Sequence, residues 1–74
     1  MPESRAHAEK RAEREGFPKS SVICLDGDSM CFIVPHGIET AAGRRAYAEA
    51  RAKGRSKEYS ARVAHKVEEL AKDD

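Results

Sequence analysis

Tryptophan is absent from this 74-residue chain, which holds two phenylalanines, two tyrosines, three prolines and two cysteines. The longest apolar run, residues 30–34, is far too short to cross a bilayer. No segment reads as a signal peptide, because the N-terminus runs directly into alternating charges. An excess of one charge sign is lacking too: 14 Lys and Arg face 13 Asp and Glu, for a net charge of +1. That balance removes any global pull toward nucleic acid or an anionic membrane. Missing as well are a glycine-rich phosphate loop, a nucleophile elbow and a metal-binding His pair. So short a chain leaves little room for a ligand-sized pocket. Together these absences argue against an enzyme, and no cofactor, metal or small-molecule substrate is implied.

What is present is a hydrophobic block inside a polar chain. Residues 22–25 and 30–34 hold about half of the large apolar side chains, around Asp26-Gly27-Asp28-Ser29. Outside this block the chain is Ala-rich, and 36% of all its residues are charged. The size allows one small domain with one modest core. A cytoplasmic location is expected, with both cysteines as thiols.

Residues 3–15 are rich in helix formers, and Arg5–Glu9 and Arg11–Glu15 stand at favourable i,i+4 spacing. Their only apolar side chains are alanines, so residues 1–16 read as a charged, partly ordered helical arm. Phe17 would tie it to a compact αβ domain over 17–74.

Residues 21–25 and 30–34 predict a β-hairpin. Two registers compete. With Asp26-Gly27 as the turn, Leu25 faces Asp28. With Gly27-Asp28 as the turn, Leu25 faces Met30, Cys24 faces Cys31 and Ile23 faces Phe32. The second is preferred because apolar meets apolar throughout. Both faces of the ribbon are then apolar: Val22, Cys24, Cys31 and Ile33 on one, Ile23, Leu25, Met30, Phe32 and Val34 on the other. Helices must cover it, on one side or both.

Pro35-His36-Gly37 ends the strand in an exposed turn. Thr40 then predicts an N-cap for a helix over 41–53, with a small-residue face of Ala42, Gly43, Ala46, Tyr47 and Ala50. Its opposite side aligns Arg44, Ala48, Arg51 and Arg55. Gly54 ends that helix, and Ser56 caps another over 57–72. There Tyr59, Val63, Val67 and Leu70 form an apolar stripe flanked by Ala64 and Ala71. The fold class expected is α+β, in the order α-β-β-α-α, with the hairpin covered by the two C-terminal helices.

Charge is uneven along the chain. Residues 44–66 carry eight cations (Arg44, Arg45, Arg51, Lys53, Arg55, Lys57, Arg62 and Lys66) against Glu49 and Glu58. Within this basic stretch, Gly54-Arg55-Ser56-Lys57 followed by Arg62-Val63 resembles the turn and second helix of a helix-turn-helix, as in lactose-repressor-type DNA-binding domains. Ala50, four residues before the glycine, fits the small inner position of that pattern. Arg55 stands where the pattern has an apolar residue, and Ser60 where it has a core Val or Ile. The resemblance covers about twenty residues. It implies that Lys57, Ala61, Arg62, His65 and Lys66 face DNA while Arg44, Arg51 and Arg55 grip phosphates.

Cys24 and Cys31 would be disulfide partners if they face each other, and with His36 and His65 they are the nearest approach to a metal set. Their spacing does not match that of zinc sites. Core filling is the reading adopted for both.

Two functions follow. The first is a protein-binding module of adaptor or inhibitor type, using the arm (Arg11, Arg14) and the His36 turn. The alternative is nucleic-acid binding through Arg44, Arg51, Arg55, Lys57, Arg62 and Lys66. The balanced overall charge ranks the protein partner first.

Overall fold

The fold is described from a computed structural model, for residues 4–25, 27 and 30–72. Three helices and one two-stranded antiparallel sheet follow in the order α-β-β-α-α. They are α1 (Arg5–Arg14), β1 (Val22–Leu25), β2 (Met30–Ile33), α2 (Ala41–Ala52) and α3 (Lys57–Lys72), with a 3-10 turn at Lys19–Ser21 before β1. This is the α+β domain expected.

Local chemistry sets the boundaries. The Thr40 hydroxyl accepts the Gly43 N–H at 2.9 Å, and the Ser56 hydroxyl accepts that of Tyr59 at 3.1 Å, so both caps form. Helices α1 and α2 stop in the same way. Gly16 and Gly54 take φ of 84° and 88°, which a side chain would resist. The residue after each glycine then bonds back into the last turn. Phe17 N–H reaches Ala12 O at 2.8 Å and Arg55 N–H reaches Ala50 O at 3.1 Å. These pairs are Schellman closures, and the first turns Phe17 toward the core.

Strand register pairs Val22 with Ile33, Ile23 with Phe32, Cys24 with Cys31 and Leu25 with Met30. This is the all-apolar register. Of the turn that it was expected to use, Asp26, Asp28 and Ser29 lie outside the described residues. The Val34 N–H donates to Ser21 O at 2.8 Å, so the ladder runs one bond past the strands proper.

Cys24 and Cys31 are joined in a disulfide. This corrects the expectation of two thiols. Direct opposition in the ladder brings their side chains to one face, where bonding distance follows from strand spacing.

The hairpin separates two small cores. On one face Val22 and Cys31 pack with Ala8 and Ala12 of α1, and Phe17, Cys24 and Ile33 close the edges. On the other, Val34, Ile38, Tyr47 and Ala64 pack with Ile23 and Ala61. Both apolar faces of the ribbon are thus covered, the first by the N-terminal arm. Ala8 and Ala12 are fully buried: small side chains let the α1 backbone lie close to the strands, and close approach stands in for bulk.

Helix α2 lies in the middle, against both strands and α3. Gly43, Tyr47, Ala48 and Ala50 are buried along it. Ala48 was expected on a solvated row with Arg44 and Arg51. It is fully buried, and both arginines are half-buried, because α2 has neighbours on two sides.

Candidate functional site

The largest departure from the sequence reading is the rotation of α3. Its apolar stripe was expected to face the core. Instead, Ser60 and Ala64 are fully buried and Glu68 is 6% exposed, while Tyr59 and Leu70 are 49% and 64% exposed. Val63 and Val67 are half-buried between these sets. On a helical wheel the two faces differ by about 100°, one residue's step.

Polar contacts explain that rotation. The Glu68 carboxylate oxygen Oε2 accepts the backbone N–H groups of Glu39 (2.8 Å) and Thr40 (2.6 Å), where α2 begins. Helix α2 has no acidic residue in its first turn, so α3 supplies the anion that a helix N-terminus favours. Gly43 makes room for it. A Cβ on Gly43 would lie 2.6 Å from Glu68 Cγ and 2.9 Å from the Thr40 hydroxyl. Ser60, in the position where the helix-turn-helix pattern has a bulky residue, satisfies its buried hydroxyl by donating to Ser56 O at 2.7 Å. Small Ser60 and Ala64 are thus the fully buried residues of α3, with Ala64 packed beside Tyr47 of α2, and the larger residues of α3 are turned outward.

The consequence is an apolar stripe, Tyr59-Val63-Val67-Leu70, along a surface helix. Its N-terminal half borders a groove of about 240 Å³ between α2 and α3. Ala46, Ala50, Tyr59 and Val63 supply apolar walls; Glu49, Lys53 and Arg55 stand at the rim. The Arg55 guanidinium lies over the Tyr59 ring at 5.4 Å. Glu49 accepts from Arg45 Nε at 3.1 Å, which offsets its charge. Arg62 and Lys66 are exposed on α3, three residues after Tyr59 and Val63 respectively, so they flank the stripe.

The cations of the DNA reading therefore divide. Arg55 belongs to this groove, and Arg62 and Lys66 lie beside the stripe. Arg51 and Lys57 line a different cleft, of about 410 Å³, where α1, β2, α2 and α3 converge. Arg51 Nη1 donates to Arg55 O at 2.7 Å, tying the end of α2 to the interhelical turn. Arg44 is half-buried on α2.

Of the arm residues, Arg11 pairs loosely with Glu15 at 3.8 Å and lines the 410 Å³ cleft. Arg14 is exposed in the last turn of α1. His36 is exposed and stacks on Phe17, with centroids 4.4 Å apart and planes 11° apart. Tyr47, at the cleft, has its phenol pKa raised by burial, with the Arg51 charge acting in the opposite direction. Sequence reasoning missed Glu68, and it placed Gly43 on a small-residue face without this partner. A lone glycine inside a predicted helix was the available signal.

Among the described residues no three His, Cys, Asp or Glu side chains gather as metal ligands would, and no helix is long and apolar enough to cross a membrane. No protein-family model, curated protein or solved structure matches the chain.

Proposed function

We propose that the chain is a small non-enzymatic interaction protein that docks a protein partner along the outer face of α3. The observation that carries this reading is the exposed apolar stripe. Tyr59 and Leu70 leave large apolar surfaces in water at the two ends of a continuous helical row. An apolar row rimmed by polar groups is the usual form of a docking face. The α2–α3 groove beside its N-terminal half adds the apolar walls of Ala46 and Ala50. Lys53, Arg55, Arg62 and Lys66 border the row together with Glu49, Glu58 and Glu69, so the complementary partner is an amphipathic segment flanked by charges of both signs.

Photocrosslinking tests this. A benzophenone side chain at position 59 or 70 should join a protein partner in cells, whereas one at exposed Ala42 should not. Crosslinks of equal yield from all three positions would contradict the reading.

Nucleic-acid binding through the cations of 41–72 ranks second, supported by the exposed Lys57, Arg62 and Lys66 on α3. Division of the basic residues between cleft, groove and helix face weighs against it. Steep salt-dependent affinity for duplex DNA, reduced by Arg62→Ala, would promote it above the first.

A cytoplasmic location belongs to the same proposal although the Cys24–Cys31 bond weighs against it, and the cysteine pair provides its test. Blocking thiols at lysis should trap Cys24 and Cys31 reduced if the protein resides in the cytoplasm. A bonded pair would point to an oxidising compartment.

A further inference from the structure

The four-element cleft lies apart from the α3 stripe, and its chemistry differs. Half-buried Phe17, Phe32 and Ile33 contribute its apolar lining. Arg51 and Lys57, brought from different helices, line the same cleft. The Arg11–Glu15 pair at the end of α1 closes another side, and its charges offset each other. The cleft therefore carries a net excess of positive charge beside its apolar lining. Its volume of about 410 Å³ is within the range of small-ligand sites. Phe17, placed by the Schellman closure and stacked on one ring face by His36, is a fixed part of that lining.

We infer that this cleft is a binding site for a small organic anion with a flat apolar body, such as an aryl phosphate or aryl carboxylate. The ring lies against Phe17, and the anionic end meets Arg51 and Lys57. Arg51 suits the anion by geometry, since its planar fork can donate two parallel hydrogen bonds to one oxyanion. The Nη1 bond to Arg55 O holds that fork in place and leaves donors on Nη2 and Nε. Lys57 adds a point charge from the first position of α3. The inference goes beyond the docking reading and stands independently of it.

A proton–nitrogen NMR titration of the full chain with phenyl phosphate tests the site. Saturable shifts should centre on Phe17, Phe32 and Ile33. Inorganic phosphate, which has charge without a body, and phenol, which has a body without charge, should each bind at least about tenfold more weakly. Arg51→Gln and, separately, Lys57→Gln should each weaken phenyl phosphate by about tenfold. Lys57→Gln guards against a folding defect in the first variant, because Lys57 is exposed. Equal affinity for phosphate and phenyl phosphate would overturn the inference, as would shifts centred on Tyr59 to Leu70. An unchanged affinity in Lys57→Gln, or no saturable shift into the millimolar range, would do the same.

Discussion

Replacing Gly43 by alanine should destabilise this protein, although it sits inside a helix. Helix propensity alone predicts the opposite, a gain of about 1 kcal/mol. The added Cβ would meet Glu68 Cγ at 2.6 Å and the Thr40 hydroxyl at 2.9 Å, both too close for real atoms. Glu68 must then withdraw, breaking its bonds to the Glu39 and Thr40 amides. Hydrogen bonds to a charged group contribute about 1.5–3 kcal/mol each, and these two share one oxygen and will not add fully. Subtracting the propensity gain leaves a net loss of about 1–3 kcal/mol, or roughly 4–24 °C in Tm for a domain of this size. Urea unfolding followed by circular dichroism would measure it. Glu68→Ala should cost about 2–4 kcal/mol by the same bonds. The cycle is the sharper test: once Glu68 is alanine, the penalty of Gly43→Ala should shrink by about 1 kcal/mol or more, because the main clash has gone. A stabilising Gly43→Ala in the wild-type background, or strict additivity in the cycle, would refute the clamp.

Reduction of Cys24–Cys31 releases a loop of sequence separation 7, for which chain entropy predicts a loss of about 2.5 kcal/mol. Thermal melts with and without reductant should then differ by roughly 10–20 °C. Ala12→Glu would place a charge in the fully buried contact between α1 and the hairpin. A loss of about 2–4 kcal/mol is expected by urea unfolding, and a neutral result would mean that the arm contributes little. Tyr47 gives the fold an alkaline limit. Burial favours its neutral phenol, so the folded state holds this proton more tightly than the unfolded chain does. That contribution is intact below the ordinary pKa of 10.0 and lost as pH rises through the raised value. Unfolding free energy should fall above about pH 10, and the fall should be smaller in Tyr47→Phe.

The sequence made the framework legible where one residue type has one local meaning. Thr40 and Ser56 cap because their hydroxyls reach the amides of the following turn, and Gly54 ends a helix because it accepts positive φ. The hairpin register followed from pairing apolar with apolar. The rotation of α3 was not legible. Periodicity located the stripe at Tyr59, Val63, Val67 and Leu70, yet the direction it faces depends on a tertiary contact between Glu68 and an amide pair 28 and 29 residues away. Packing of small residues, Ser60 and Ala64 against α2, outweighed the burial of larger ones because the two backbones can lie close. Ala8 and Ala12 misled for the same reason, since alanine scores weakly as a core residue and yet fills a narrow gap completely. The cationic residues could be counted but not grouped, because their grouping depends on where the helices cross.

Leu70→Glu tests the central claim most directly. Leu70 is 64% exposed, so the substitution should leave Tm within a degree or two, as surface changes usually do. The account predicts that photocrosslinking from position 59 to a protein partner is then lost. Undiminished crosslinking from position 59 in the stable Leu70→Glu protein would contradict a docking face along α3.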